Sequence, residues 1–334
     1  MKPVTVLGFG SAIVDVSTVV VETQLRQLGL MKGSMRLAAR EEQQTIIASL
    51  PGEWERHGGG SVANSLVGLS LLGVESALYT AVGEDEEGSL FVQDLSELGV
   101  EVVLSQQQYS AGTGRCVVLV TEDGQRTMLT YLGASQELTA ELFPFKMATG
   151  TPFLFIEGYL LDVPGIGDHL FDVARTARRY GTKVIFSLSD AALVERHRRS
   201  LQRSLPSSID YLLANGEEAS AFSQRSDLDQ IVEVLSSMRF SGSVTLGDRG
   251  AVYFGPDYYE YLEVPAYASV VDTTGAGDMF AAGFIAGLVH ELPPLDVLRL
   301  GQSLAAEVIA HPGARPQVDL GVWLSEHEPD LANT

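Results

Sequence analysis

Short apolar runs alternate with longer amphipathic stretches along most of the chain. Four of these runs predict buried strands, at 153–156, 183–187, 211–214 and 243–246. Segments with apolar residues every three or four positions predict helices near 165–180, 191–203, 216–223, 227–238, 279–290, 295–310 and 320–326. Strands that alternate with helices are typical of a parallel sheet covered on both faces.

The first 133 residues combine this pattern with a second one. Apolar runs at 4–7 and 77–82 predict further buried strands, and the helical segments there are 61–72 and 87–98. Other β-rich segments do not fit the alternation: 14–21, 34–38, and a hairpin of 115–121 with 126–131.

These unassigned β segments are predicted to leave the main sheet and form a small second layer. We therefore expect an α/β core made of residues 1–15, 49–107 and 134–334, and a β lid made of residues 16–48 and 108–133. A lid over a cleft is one interpretation of the second layer. A decorated edge of the same domain is the other.

Composition and charge exclude several classes of function. The chain has 334 residues and a formal net charge of −21, which argues against a nucleic-acid partner. One cysteine, Cys116, excludes a disulfide framework, and the six histidines lack the spacing of a zinc site. No apolar stretch reaches the length of a membrane span, and the start fits a buried strand better than a signal peptide. We expect a cytoplasmic protein.

Residues 272–278 read Asp-Thr-Thr-Gly-Ala-Gly-Asp and run into an apolar segment at 279–287. N–H groups at a helix start have no partner within the helix, and the small residues Gly275, Ala276 and Gly277 leave room for an anion there. A carboxylate beside an anion site makes sense if Asp278 takes a proton from a hydroxyl that attacks phosphorus. An N-cap aspartate on a buried helix explains the pattern equally well.

Two segments in the first 64 residues are suited to binding a hydroxylated molecule. Glycines at 58–60 permit close backbone approach, and Asn64 lies one turn inside the helix that follows. Ser11 and Asp15 follow the first strand, and Asp15 lies in an apolar run, so we expect it to have a polar partner. A carboxylate with an amide is a usual way to hold vicinal hydroxyls.

Two segments in the second half follow predicted strands. Asn215 and Glu218 begin a helix, where they could also be a cap and its partner. Thr245, Gly247 and Gly250 end the strand at 243–246, where they could also be ordinary strand-end residues. No Gly-Lys pair is present, so the chain has no P-loop.

Taken in this order, the segments resemble the PfkB family of carbohydrate and nucleoside kinases over nearly the whole chain. Residues 272–278 are similar to the second signature of that family, and Gly59 and Gly60 with Asn64 are similar to the first. Asn215-x-x-Glu218 resembles the N-x-x-E motif. Thr245, Gly247 and Gly250 resemble the nucleotide-binding turn.

The resemblance implies a Rossmann-like (ribokinase-like) three-layer α/β/α core with a small β-sheet lid. It implies that Asp278 is the base, that Gly275 to Gly277 form the anion hole, and that ATP is the phosphoryl donor. It also implies Mg²⁺, placed by Glu218 through water, with a monovalent cation as a further candidate. The expected partners are a small sugar or nucleoside and ATP, in a monomer or homodimer.

Details favour the adenosine-kinase-like branch of the family. Asp15 stands where that branch has its ribose-binding aspartate, and the run from Gly114 to Gly133 resembles bacterial members. Ser11 departs from the usual Asn, which leaves the choice of acceptor open. Arg126 matches an arginine near the transferred phosphate, although an arginine on the lid surface is the alternative. A free-sugar kinase of the fructokinase or ribokinase type and a catalytically silent sugar or nucleotide sensor are the other hypotheses.

Overall fold

A computed structural model describes residues 4–105, 107–139, 143–266 and 268–332. The strands in these residues are β1 (Val6–Phe9), β2 (Ile13–Val19), β3 (Met35–Leu37), β4 (Glu55–Gly59), β5 (Ser76–Thr80), β6 (Glu101–Leu104), β7 (Gly114–Val120), β8 (Arg126–Tyr131), β9 (Phe153–Glu157), β10 (Lys183–Ser187), β11 (Tyr211–Asn215), β12 (Ser241–Thr245), β13 (Ala251–Phe254) and β14 (Tyr259–Leu262).

Helices follow the amphipathic stretches. They are α1 (Glu22–Gln27), α2 (Arg40–Ser49), α3 (Ser61–Leu71), α4 (Glu86–Glu97), α5 (Phe145–Ala148), α6 (Gly167–Arg179), α7 (Ala191–Ser208), α8 (Gly216–Ser223), α9 (Leu228–Ser237), α10 (Ala276–Val289), α11 (Pro294–Val308) and α12 (Leu320–His327). In the part of the chain that the structure describes, no helix has the length and apolarity to cross a membrane.

The main sheet has nine strands in the order β14-β13-β12-β11-β10-β9-β1-β5-β6. The strands from β12 to β6 run parallel, as predicted, and β13 and β14 add an antiparallel edge. Successive strand residues point to opposite faces, so Leu154 and Ile156 pack in one core while Phe155 packs in the other. The first core contains side chains of α6 to α9 and the second those of α3, α4, α10, α11 and α12, which confirms the three-layer α/β/α fold.

The second sheet has five strands in the order β3-β8-β7-β2-β4. One face packs against α1 and α2 through a small core that includes Leu25, Ile46 and Leu119. The sheet is wider than the segments predicted for the lid. It includes β4, which we had assigned to the core, and β2 already starts at Ile13. The sequence of β4 lacks the alternation of apolar and polar residues that predicts a strand. The segment forms a strand through its pairing with β2.

The strand ends determine where polar residues meet. β1, β9, β10, β11 and β12 run parallel, so Ser11, Glu157, Ser189, Asn215 and Thr245 all lie at their carboxyl ends. In open α/β sheets, ligands bind at this edge. The fold therefore brings both halves of the predicted site to one side of the main sheet.

Candidate active site

The glycine turn at 275–277 presents backbone N–H groups at the start of α10. Gly275 is the N-cap with φ 78°, and a Cβ there would lie 2.5 Å from Ala314 O, so no other residue fits. The N–H groups of Gly275 and Gly277 donate to no atom of the described residues, whereas Ala276 N lies 3.2 Å from Thr273 O. A Cβ on Gly277 would point into open space. This geometry suits an anion.

Asp278 lies in the first turn of α10 and is held by α3. Ser61 Oγ donates to its Oδ1 at 2.7 Å, and Asn64 Nδ2 donates to its Oδ2 at 2.9 Å. Burial raises the pKa of Asp278 to about 6, although these two hydrogen bonds and the charge of Arg315 act in the opposite direction. The helix N-cap is Gly275, so the N-cap interpretation of Asp278 is wrong.

Asp15 faces a cavity between the second sheet and the core. The cavity has a volume of about 560 Å³ and is also lined by Asn64, Arg126 and Arg315. Asp15 accepts no hydrogen bond from the described part of the chain, and its expected polar partners are the charges of Arg315 and Arg126. Burial raises its pKa to about 6 against the charges of Arg315 and Arg126. The carboxylate is thus half-buried and turned toward the cavity.

Two glycines at the junction of β4 and α3 allow Asp15 and Ser11 to take these positions. A Cβ on Gly59 would lie 2.6 Å from Asp15 Oδ2, and a Cβ on Gly60 would lie 2.5 Å from Ser11 O. The predicted pair of glycines therefore shapes the backbone around the cavity. Ser11 is buried, and its backbone N–H donates to Glu157.

Glu157 is a buried carboxylate that the sequence analysis missed. Its Oε1 accepts from Ser11 N at 2.8 Å, and its Oε2 accepts from Val62 N at 3.4 Å. Burial raises its pKa to about 7. Glu157 therefore joins the ends of β1, β9 and α3 directly behind the site. Its only signal in the sequence is an acidic residue at the end of a buried strand.

Asn215 and Glu218 form a capping box at the start of α8. Asn215 Oδ1 accepts from Glu218 N at 2.9 Å, and Glu218 Oε2 accepts from Asn215 N at 3.0 Å. The cap interpretation is thus confirmed, but it does not exclude a second role. Burial raises the pKa of Glu218 to about 7. The same two residues line a cavity of about 110 Å³ together with Ser61, Thr245 and Asp278.

Gly247 and Gly250, the remaining residues predicted to bind the nucleotide, have different surroundings. Gly247, with φ 63°, lies in a short turn after β12 and lines an open groove of about 1100 Å³ together with Asn215. Three arginines also line this groove: Arg198, Arg225 and Arg249. Gly250 instead packs against β14, where a Cβ would lie 2.0 Å from Leu262 O. Close packing of the backbone against β14 therefore accounts for the glycine at position 250.

Arg126 is the first residue of β8 and reaches from the second sheet to the glycine turn. It forms an ion pair with Asp272, whose carboxylate also accepts from Thr274 N at 3.0 Å and from Gly313 N at 2.9 Å. The Arg126 side chain is only 17% exposed, so the interpretation as a lid-surface arginine is wrong. Its Nε is buried and has no partner among the described residues.

Arg315 and Asp94 are further polar residues of the site that the sequence analysis did not identify. Arg315 lies in the irregular segment between α11 and α12, and its guanidinium contacts both Asn64 and Asp94. Neither residue belongs to a recognisable pattern in the sequence.

The described residues contain no group of three or more His, Cys, Asp or Glu side chains that could hold a metal directly. Mg²⁺ often keeps several waters and uses only one or two carboxylates. Glu218, which lines the cavity beside Asp278, is a single carboxylate that fits this kind of binding through water.

A family model described as "pfkB family carbohydrate kinase" matches residues 27–319. The chain is 31% identical to the solved adenosine kinase of Sinorhizobium meliloti, with a TM-score of 0.89 over 97% of this chain and 99% of that one. A probable sugar kinase of Rhizobium etli is 30% identical, with a TM-score of 0.89 over 98% and 99% of the chains. The uncharacterized sugar kinase YegV of Escherichia coli is 28% identical over 76% of this chain and 78% of its own.

The Glu157→Gln variant should make the free energy of unfolding less dependent on pH. A carboxyl group whose pKa is raised by folding stabilises the protein below its unfolded pKa, and this contribution is lost as the pH rises through about 7. One pKa unit corresponds to about 1.36 kcal/mol. Between about pH 4.5 and 8, the free energy of unfolding measured by urea denaturation should fall by roughly 1–3 kcal/mol more in wild type than in the variant.

The exposed Glu233 of α9 supplies the control, because Glu233→Gln removes a carboxylate without a buried partner. Its stability curve should follow that of wild type. Parallel curves for wild type and Glu157→Gln would show that Glu157 does not titrate in this range.

Proposed function

The chain belongs to the pfkB family of carbohydrate kinases and is a phosphotransferase with an alcohol acceptor, and we propose that it transfers the γ-phosphate of ATP to a primary hydroxyl of a sugar or nucleoside. The observation that carries this proposal is the position of Asp278. Its carboxylate is held by Ser61 and Asn64, beside the unpartnered N–H groups of the glycine turn.

Asp278 acts as the general base. The acceptor hydroxyl gives its proton to this carboxylate while the hydroxyl oxygen bonds to the γ-phosphorus and the bond to the ADP oxygen breaks. A pKa of about 6 leaves Asp278 ionised at neutral pH and more basic than an exposed aspartate. Asp278 is well placed for this role, because it lines the same cavity as Asn215 and Thr245.

The N–H groups of Gly275 and Gly277 stabilise negative charge on the transferred phosphoryl group, whereas that of Ala276, the third predicted donor, already donates to Thr273 O. Fixed donors of this kind act without reorganisation at the moment of reaction. Arg126 adds a guanidinium on the side of the second sheet, where it is paired with Asp272 and its buried Nε has no partner among the described residues. Because the chain has no P-loop, backbone donors and a few arginines must take over much of this role.

The acceptor occupies the cavity beside Asp15. Its volume of about 560 Å³ is sufficient for a small hydroxylated molecule. Asp15 and Asn64 hold the acceptor hydroxyls, while Gly59, Gly60 and Ser11 shape the adjoining backbone. The second sheet lies over this cavity as a lid that keeps water from the reaction.

One observation favours a free sugar over a nucleoside. No Phe, Tyr or Trp is present among the described residues that line the acceptor cavity, whereas Glu53, Glu55 and His57 are. Stacking on aromatic side chains is a common source of affinity for a nucleobase. A free-sugar kinase of the ribokinase or fructokinase type is therefore the second candidate.

Mg²⁺ is the proposed metal cofactor, placed through water by Glu218 near the phosphates of ATP. When bound, it neutralises charge on the phosphates. Glu218 contributes a carboxylate that is fixed by the capping box and lines the same cavity as Asp278.

Asp278→Asn should abolish turnover while leaving the binding of acceptor and ATP largely intact. The amide keeps the shape of the side chain but cannot take up the proton, and loss of a general base costs roughly 10²–10⁴ in rate. ADP release should be measured with a panel of sugars and nucleosides.

Asp168→Asn is the control, because the Asp168 side chain is 86% exposed on α6. More than about a tenth of the wild-type kcat in Asp278→Asn would exclude the base assignment. Wild type that binds acceptors but releases no ADP would point to a sensor.

Asp15→Ala should weaken the acceptor far more than ATP. A hydrogen bond to a charged group contributes about 1.5–3 kcal/mol, so the KM of the acceptor should rise roughly ten-fold or more. The KM of ATP serves as the internal control. An unchanged acceptor KM, in a variant with the wild-type circular dichroism spectrum, would make Asp15 a structural residue.

Glu218→Gln should raise the Mg²⁺ concentration needed for half-maximal rate. Glutamine can complete the same capping box, so the variant removes the charge and keeps the cap. Excess EDTA should stop phosphoryl transfer, and acceptor affinity should change little. Glu217→Gln is the matched control, because Glu217 is an exposed acid in the same helical turn. Identical Mg²⁺ titrations for wild type and Glu218→Gln would reduce Glu218 to a helix cap.

A further inference from the structure

Arg315 is held in place by a loop that is itself anchored at several points. Gly313 N donates to Asp272 Oδ2 at 2.9 Å, which ties the loop to the segment just before the glycine turn. Gln317 N donates to Glu307 Oε1 at 3.0 Å, and His311 Nε2 lies 3.0 Å from the same oxygen. These contacts flank Arg315 on both sides. An irregular segment therefore presents this side chain in a defined position.

The guanidinium of Arg315 joins two helices of the core. Its Nη1 donates to Asp94 Oδ2 of α4 at 2.6 Å, and its Nε donates to Asn64 Oδ1 of α3 at 3.2 Å. The same Asp94 oxygen accepts from Gly58 N at 2.9 Å. The Arg315 side chain is 17% exposed, so these contacts are shielded from water. Shielding makes charged hydrogen bonds stronger and more directional.

The contact with Arg315 determines which end of the Asn64 amide faces Asp278. A guanidinium can only donate, and an ionised carboxylate can only accept. With Oδ1 toward Arg315 and Nδ2 toward Asp278, both contacts of Asn64 are satisfied. The reversed amide would place an oxygen against the carboxylate and an NH₂ group against the guanidinium. Arg315 thus selects the orientation in which Asn64 donates to Asp278.

We infer that Arg315 is a positioning residue for phosphoryl transfer: it holds the Asn64 amide so that Nδ2 fixes the Asp278 carboxylate toward the reacting hydroxyl. This inference rests on the proposed role of Asp278 as general base. Asp94 supports it by anchoring the other arm of the guanidinium.

The charges around Asp278 give Arg315 a second effect on the same group. Glu157 and Asp15 are acidic neighbours that interact electrostatically with Asp278, and Arg126 lies near Asp15. The charge of Arg315 lowers the pKa of both Asp278 and Asp15. Removal of that charge should therefore raise the pKa of Asp278 and leave less of it ionised at neutral pH.

The test compares the pH profile of kcat in Arg315→Met, Arg315→Lys and wild type, with the acceptor that wild type uses best. In Arg315→Met, kcat at pH 7 should fall roughly ten- to hundred-fold, because Asn64 loses its fixed orientation. The acidic limb of the profile should move upward by about one pH unit. Arg315→Lys keeps the charge without the two-armed geometry. It should retain the wild-type acidic limb and still lose kcat.

Arg178→Met is the matched control. Arg178 also forms an ion pair, with Asp210. This pair lies near the amino ends of β10 and β11, whereas the site lies at the carboxyl ends of the strands. Its kcat and pH profile should equal those of wild type. Thermal melting of each variant separates a loss of fold from a loss of positioning.

A double-mutant cycle with Asn64→Ala tests the route of the effect. If Arg315 acts through Asn64, Arg315→Met should lower kcat by less than about three-fold in the Asn64→Ala background. Full additivity, or a wild-type kcat and pH profile in folded Arg315→Met, would overturn the inference. Failure of the proposed function is a different result, because then wild type transfers no phosphate or Asp278→Asn remains active.

Discussion

The hydrogen bonds from Ser61 and Asn64 to Asp278 connect the two helices on which the whole site depends. Asp278 is a partly buried acidic residue, and burial of a carboxylate is costly unless it is hydrogen-bonded. The two donors from α3 meet that need while leaving the carboxylate beside the glycine turn. The side chains of Ser61, Asn64 and Asp278 therefore contribute both to the stability of the fold and to the proposed chemistry.

Close packing of helices makes these contacts possible. A Cβ on Gly68 of α3 would lie 2.7 Å from Cβ of Ala282 on α10, so the two helices approach more closely than larger residues would allow. On its other side, α10 packs with Gly283 against Gly301 of α11, where a Cβ would lie 2.7 Å from Cα. The small residues of α10, which the sequence presents as an apolar run, thus locate Asp278 relative to Asn64.

The predictable part of this protein is the part with local signals. Alternating apolar runs and amphipathic stretches predict the parallel sheet, and the residues at 272–278 predict the glycine turn that opens α10. β4 could not be predicted, because it is polar and exists through its pairing with β2. Glu157 and Arg315 were missed for a related reason. Each acts on residues more than 90 positions away, and no periodicity links a strand end or an irregular loop to such partners.

The most direct test of the account identifies the product of the reaction. Wild-type protein should be incubated with ATP, Mg²⁺ and each member of a panel of sugars and nucleosides, and the products followed by phosphorus NMR. The account predicts, for at least one acceptor, a phosphomonoester whose phosphorus couples to a CH₂ group, in an amount equal to the ADP formed. Free phosphate alone with every acceptor, or an ester on a secondary carbon, would contradict it.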